Sequence, residues 1–359
     1  MNGIVNEEGE TKMAETQVWR VDPNAPDLEH TPQIQAAAEK LVQGEIVAFP
    51  TETVYGLGGN AKLQDSVRKI YEAKGRPSDN PLIVHVANLE QVREICTEIH
   101  PVAQKLIHAF WPGPLTLVLP SRGTVSNAVI AGLSTVAIRM PSHPVARAVI
   151  SASNLPIAAP SANRSGRPSP TQAEHVFHDL DGRIAGILDG GETGVGVEST
   201  VVDCTTTPIT ILRPGGITKE QLIEVVGPVS DDPGLVRSDQ APKAPGMKYK
   251  HYAPSATMYL VPAGESRIRE LISSEKAKGR RVGVLTTEEK QGGYPDADVL
   301  LVCGRRSEPS TVAHHLFDVL RHFDQKKVDV IFSETFDQKG IGKAVMNRLS
   351  KAAGGRILD

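Results

Sequence analysis

The sequence predicts an α/β protein in two parts: an N-terminal twisted mixed sheet with helices among its strands, and a smaller C-terminal doubly wound α/β domain. Three observations predict it. The chain has 359 residues, more than one hydrophobic core ordinarily organises. From residue 33 onward, short apolar runs of strand length alternate with helical periodicity. That alternation breaks over residues 227–256, where Gly, Pro, Asp and Lys replace any regular period. The expected organisation is a mobile polar extension over 1–25, a first domain over 26–227, a linker over 228–256 and a second domain over 257–359. Met13 is an alternative start within the extension.

In chain order, residues 33–42 form a helix that Gly44 stops. Residues 45–49 form a strand ended by Pro50. A helix over 65–74 ends at Gly75, a strand covers 82–86, and a helix over 101–110 runs into the Trp111-Pro112-Gly113-Pro114 turn. Strands follow at 115–119, 135–140, 156–159, 184–188, 200–203 and 210–212, and a helix over 219–226 closes the first domain. Many short strands with interspersed helices read as a mixed sheet. After the linker come strand 258–261, helix 266–278, strands 281–285 and 299–302, helix 312–323, strand 328–332 and helix 343–353. That βαβ succession is the doubly wound, Rossmann-like pattern.

Composition removes several function classes. Lys and Arg number 39 against 42 Asp and Glu, a net charge of -3, which is not the balance of a general nucleic-acid coat. Cys96, Cys204 and Cys303 are far apart and form no C-x-x-C pair, so they suggest reduced thiols rather than a zinc site or disulfide framework. The N-terminus lacks a basic stretch followed by an apolar core, and no apolar run is long enough to span a bilayer. A cytoplasmic location is the expectation.

The chemistry-bearing residues cluster at strand ends. The stretch from Pro50 through Thr51, Glu52, Thr53, Val54, Tyr55 and Gly56 to Gly58 puts hydroxyls and a carboxylate after a strand, the edge where open α/β sheets bind ligands. Its glycines would let backbone approach a ligand. Lys74 and Arg76 flank Gly75 at a helix end, where either also complements the helix dipole. Arg139 and Arg213 end strands, and arginine suits bidentate contact with carboxylate or phosphate. Ala158 to Gly166 form a loop of small residues with hydroxyl and amide groups, able to surround an anion or simply to turn. Gly190 to Thr200 make a further flexible loop before a strand. No G-x-x-x-x-G-K-[ST], H-E-x-x-H or G-x-S-x-G occurs. His314 and His315 have no partner ligand nearby in sequence, and Gly340 to Lys343 open the last helix.

These stretches resemble a known family. Pro50 to Leu57, Lys74-Gly75-Arg76-Pro77, Asn80-Pro81-Leu82, Ala159-Pro160-Ser161-Ala162-Asn163 and Glu198-Ser199-Thr200-Val201 are similar to the YrdC-type threonylcarbamoyl-AMP synthases, in that family's order. Residues 242–254 resemble the linker of its longer, two-domain members. Ala313 to Arg321 and Asn347-Arg348-Leu349 resemble their C-terminal domain. The resemblance implies a nucleotidyltransferase that joins L-threonine, bicarbonate and ATP into threonylcarbamoyl-AMP, with pyrophosphate and water released. The product would supply N6-threonylcarbamoyladenosine in tRNAs that read codons starting with adenine. It implies L-threonine contacts at Thr53, His85, Arg139, Ala159 and Ser199. Nucleotide contacts are implied at Arg76, Asn80, Thr135, Ser161, Ser169, Arg213 and Tyr252, with Lys74 beside the phosphates. Lys74 and Arg76 would neutralise charge, and no organic cofactor is implied.

Clustered cations fit a reaction whose partners are anionic or become so, with magnesium bridging the phosphates. No general base is assigned, because Glu52 could equally orient Thr53 or a cation. The product would pass to the tRNA threonylcarbamoyl-transferase machinery, with at most a weak or transient contact with tRNA. Two other classes compete: an RNA-binding or ribosome-associated module, and an ATP-dependent carbamoyl-transfer unit with another acceptor. The absence of RRM, KH or basic–aromatic signatures weighs against the first. The linker carries Lys243, Lys248, Lys250, His251 and Tyr252, side chains a passive spacer does not need, and is expected to fold over the N-terminal pocket with Tyr252 beside the nucleotide.

Overall fold

In a computed structural model of the chain, residues 4–5, 11–12, 15–235 and 251–359 are described. Among them, eleven strands form one mixed sheet. Its order runs Ser230–Asp231, Thr210–Arg213, Thr200–Asp203, Leu115–Pro120, Thr135–Arg139, Ile83–His85, Ile157–Ala158, Gly56–Asn60, Val47–Phe49, Gly186–Asp189, Gln17–Arg20. Parallel and antiparallel pairs alternate irregularly along it. A separate four-stranded parallel sheet has the order Thr257–Val261, Val330–Glu334, Val282–Thr286, Val299–Val302. The α/β class and the parallel C-terminal sheet agree with the sequence reading.

Local sequence explains the elements that carry the site. The Pro32–Val42 helix opens with proline, whose fixed φ suits the first helical turn. It buries Ile34, Ala37, Ala38 and Leu41, one face at helical spacing, in a core shared with Val145, Ala146 and Val149 of the Pro144–Ser153 helix. The Gln64–Lys74 helix ends where Gly75 takes a left-handed φ of 61°, which turns the chain sharply between Lys74 and Arg76.

Three differences from the sequence reading have physical reasons. Gln17–Arg20 pairs in parallel with Gly186–Asp189 at the sheet edge, so regular structure starts before residue 26. Its largely exposed side chains show no apolar alternation. Gly56–Asn60 is a fully buried strand rather than a loop, and of its glycines Gly56 alone lines the site's cavity. A Cβ on Gly58 would lie 2.5 Å from Phe49 Cε1 and 2.7 Å from Ile157 Cγ2, so its glycine is required by packing inside the sheet. The loop before Thr200–Asp203 is pinned: Val195 N–H donates to Glu52 O at 2.7 Å and Gly196 N–H to Thr53 O at 3.2 Å. A Cβ on Gly196 would meet the His314 backbone at 2.3 Å, so only glycine lets the C-terminal helix pack there.

The Pro309–Lys326 and Gly342–Ala352 helices lie against this region. Val54 and Val197 join one buried cluster with Tyr252, Phe317, Leu320 and Leu349, so apolar packing unites the two sheets' surroundings. Cys96, Cys204 and Cys303 are all buried and unbonded. Among the described residues no helix is long and apolar enough to cross a membrane.

Candidate active site

Sheet register sets the floor of a cavity. Ile83–His85 and Thr135–Arg139 run parallel with His85 opposite Arg139, so an imidazole and a guanidinium share one strand edge. Ala159 closes the adjoining position, its N–H donating to Ile83 O at 2.9 Å. Thr53 arrives on the turn after Val47–Phe49. That turn is fixed by Thr51, whose hydroxyl donates to Val54 O at 2.7 Å and accepts from Thr53 N at 3.1 Å. Arg139 Nη1 donates to Thr53 Oγ1 at 2.9 Å and Nε to Gly113 O at 3.3 Å, while Nη2 lies 2.7 Å from Glu52 Oε1. Burial, then the charge of Arg139, push the His85 pKa down to about 3. The ring is therefore neutral, with Nδ1 placed to donate to Ile83 O at 3.3 Å.

The Ser161–Asn163 loop forms a second wall, locked from inside. Ser161 Oγ donates to Asn163 Oδ1 at 2.6 Å, and Asn163 Nδ2 donates to Arg164 O at 2.8 Å and Arg167 O at 3.0 Å. Lys74 Nζ donates to Ser161 O at 2.5 Å and Asn163 O at 2.7 Å. Lys74 thus braces this loop, and burial with the neighbouring Arg76 holds its pKa well below the usual lysine range. Opposite, Arg213 Nε donates to Ser199 O and Nη2 to Ser199 Oγ, each at 3.1 Å. Burial lowers the Arg213 pKa to about 10, leaving it charged at neutral pH.

His251 and Tyr252 complete the cavity wall. Ala253 N–H donates to Gly166 O at 2.9 Å, which ties this end of the linker to the first domain. Tyr252 has a left-handed φ of 62° and is 5% exposed, its ring 5.0 Å from that of Phe317. Lys243, Lys248 and Lys250 lie outside the described residues.

The space between these walls, with the open solvent at its mouth, is about 690 Å³. Ten of the residues singled out in the sequence line it: Thr53, Lys74, Arg76, His85, Arg139, Ala159, Ser161, Ser199, Arg213 and Tyr252. Asn80, Thr135 and Ser169 do not line it. Asn80 is fully buried behind Arg76, whose Nη2 donates to Asn80 O at 3.5 Å. Thr135 begins the strand that Arg139 ends. Ser169 is fully buried and donates to Glu198 Oε1 at 2.6 Å. Thr51, Asn163, Ser165, Glu198 and His251 also line the wall; for Glu198 the available signal was its place beside Ser199 in one motif. Glu192 reaches His314 and His315 in space, the ligand atoms all within 4.8 Å of one another, a neighbour that sequence separation concealed.

The wall carries Lys74, Arg76, Arg139 and Arg213 against two carboxylates, Glu198 in the wall and Glu52 behind Arg139. Such an excess of buried donors and positive charge attracts anionic ligands and stabilises charge that develops during reaction. A cationic cavity at strand ends of a mixed sheet, beside a second α/β domain, defines a two-domain α/β protein built to take anionic ligands. The "Telomere recombination" family model (Sua5_yciO_yrdC) matches residues 39–215, and the model "Threonylcarbamoyl-AMP synthase, C-terminal domain" matches residues 217–354. The chain is 57% identical to the threonylcarbamoyl-AMP synthase of Bacillus subtilis, covering 96% of this chain and 99% of that one. It is 50% identical to the Pyrococcus abyssi protein of the same name, over 91% and 95% of the two chains. A crystal structure of P. abyssi Sua5 complexed with L-threonine superposes with a TM-score of 0.90 at 47% identity, over 96% of this chain and 99% of that one. The chain belongs to the threonylcarbamoyl-AMP synthase family.

Proposed function

We propose that this cavity performs the family's reaction with a division of labour among its walls. The observation that carries this reading is convergence: strand ends, loops and a linker segment far apart in sequence place four cations and several hydroxyls around one enclosed space. Arg139 takes the L-threonine carboxylate, with Thr53 and Glu52 holding the guanidinium in plane, and neutral His85, Ala159 and Ser199 enclose the rest. Arg76, Ser161, Arg213 and Tyr252 hold the nucleotide. Lys74 acts chiefly by fixing the Ser161–Asn163 loop. Asn80 and Ser169 support the nucleotide wall from behind, through Arg76 and Glu198 respectively. Thr135 has no direct support from the cavity's geometry.

The chemistry balances as follows. The threonine nitrogen forms a bond to the carbon of bicarbonate or carbon dioxide, giving a carbamate; from bicarbonate, water departs. A carbamate oxygen then bonds to the α-phosphorus of ATP, and the bond to the bridging oxygen breaks, releasing pyrophosphate. Alignment and charge neutralisation by the wall cations are the protein's main contributions. Glu198 is already engaged by Ser169 and Arg348, so magnesium would come with the triphosphate as part of the substrate and would supply further charge neutralisation there. The sheet of the catalytic domain extends from Gln17–Arg20 to Ser230–Asp231, beyond the expected bounds of 26 and 227 at both ends because these edge strands pair with Gly186–Asp189 and Thr210–Arg213, and residues 251–253 support a closing role for the linker. The three unbonded cysteines fit a cytoplasmic setting. The labile product passes to an acceptor system that modifies tRNA.

The test is an amino-acid panel with pyrophosphate release as readout. Threonine is expected to be preferred, serine to be a poor substrate and valine a worse one, because a site that bonds the hydroxyl rejects its absence more strongly than a lost methyl. Equal turnover of valine and threonine would remove the threonine assignment.

A further inference from the structure

The C-terminal domain reaches the catalytic wall through one side chain. Arg348 lies on the Gly342–Ala352 helix and is 0% exposed, the largest fully buried side chain of the described residues. Its Nε donates to Glu198 Oε2 at 2.8 Å, and its Nη1 donates to Pro214 O at 2.8 Å. Its guanidinium lies 5.7 Å from the centre of the Tyr252 ring, within cation–π range. One planar group therefore touches three parts of the cavity's surroundings. Glu198 precedes Ser199, Pro214 follows Arg213, and Tyr252 is the linker's contribution to the wall.

We propose that Arg348 is a positioning residue for the synthase reaction, acting through Glu198 and Tyr252, and that the C-terminal domain is by this route part of the catalytic site. This rests on the functional reading given above.

The physical case is specific to charge as well as to packing. Burial works to raise the Glu198 pKa, but Arg348, Arg213 and Ser169 overcome it and hold the carboxyl at about 2. A buried carboxylate without its cation is costly, so it either protonates or draws in the nearest remaining charge. That charge is Arg213, which now donates to Ser199. Loss of Arg348 should therefore disturb Arg213 and Tyr252 on the nucleotide side most, reach the threonine side only through Ser199, and leave Arg139, Thr53 and His85, on other elements, in place.

The experiment compares Arg348→Met, Arg348→Lys, Glu198→Gln and the double variant Arg348→Met/Glu198→Gln in the full chain. The expected result for Arg348→Met is an ATP KM raised at least about tenfold with the threonine KM within about threefold. Arg348→Lys should recover part of the loss. With Arg348 absent the Glu198 pKa rises, so kcat/KM for ATP should gain a new acidic limb that falls as pH drops through the raised value. The double variant should lack that limb. Other groups facing Glu198 are Arg213, Lys74, Tyr252 and Lys351. Of these, burial together with Arg348 and Arg213 holds Lys351 at about 7 while Glu198 works the other way, so Lys351 shifts in both variants; repeating the comparison in a Lys351→Met background, where the limb should persist if it belongs to Glu198, separates the two. A crystal structure of Arg348→Met, or of Arg348→Lys should the first not fold, reads the same claim without turnover: Glu198 and Tyr252 should be displaced. Unmoved side chains would overturn the proposal, as would equal rises in both KM values without a new limb. Absence of threonine-dependent turnover in the unaltered protein would instead overturn the functional reading.

Discussion

Arg139 Nη1 donates to Thr53 Oγ1 across 2.9 Å while Nη2 stands 2.7 Å from Glu52 Oε1, so the protein's own groups hold the guanidinium on two sides. Pre-organisation of this kind lets a bidentate contact form without ordering a long side chain. Arg139→Ala is expected to cost about 2–3 kcal/mol of interaction with the threonine carboxylate. That is roughly 30- to 150-fold in kcat/KM for threonine, with a much smaller change for ATP. Steady-state kinetics with each substrate varied in turn checks it; an unchanged threonine KM would take Arg139 out of the threonine site.

A second buried pair joins the domains away from the cavity floor. Arg321 Nη2 donates to Asp179 Oδ2 at 2.9 Å and to Pro168 O at 2.5 Å. Without Arg321, Asp179 keeps Arg167 at 2.7 Å and the Arg164 N–H at 3.2 Å, so Arg321→Met removes a charge-assisted contact and should lower unfolding stability by about 1.5–3 kcal/mol, measured by urea titration at neutral pH. Burial works to raise the Asp179 pKa, but Arg321, Arg167 and His178 hold it at about 2. Its depressed folded value means the contribution is fully present above about pH 3.9, the unfolded value, and is lost as pH falls towards 2. Asp179→Asn should flatten that acid dependence.

Gly215 is expected to tolerate no side chain. A Cβ there would lie 2.3 Å from Glu198 O and 2.4 Å from both Ser199 C and Thr200 N, all backbone atoms that cannot step aside. Gly215→Ala should destabilise by about 1–3 kcal/mol and impair catalysis beyond that loss by moving Ser199. Thermal unfolding and kinetics on the folded fraction separate the two effects.

His85 should stay neutral throughout the physiological range, since its pKa is pushed down to about 3. Its imidazole NMR resonances are expected not to shift between about pH 5 and 8, whereas an ordinary histidine titrates near 6.5. A midpoint near that value would show that the floor is more hydrated than its packing indicates.

Much of this was legible in the sequence, and the exceptions follow a pattern. The Lys219–Val226 helix and the Val299–Val302 strand have the boundaries read from periodicity. Arg139 and Arg213 stand out in the sequence as cations ending apolar strands, where an ordinary surface arginine looks the same, and both line the cavity. Gly56–Asn60 was unreadable as a strand because glycines carry no apolar alternation, although the surrounding side chains fill the space. Pro144–Ser153 and Ala173–Leu180 were also unread as helices. Arg348 stood in a recognisable stretch, but a lone arginine on an amphipathic helix looks the same whether it faces water or another domain. Glu52, Glu198 and Arg348 acquire their roles from partners distant in the chain, and spacing carries no record of that.

The most direct test is mass spectrometry of a reaction of the purified protein with ATP, L-threonine and ¹³C-bicarbonate. The expected result is a threonylcarbamoyl-AMP ion one mass unit heavier than with unlabelled bicarbonate, formed together with pyrophosphate and absent when threonine is omitted. ATP consumption with no threonine-dependent adenylate, or a product that carries no label, would contradict the assignment of this cavity to threonylcarbamoyl-AMP synthesis.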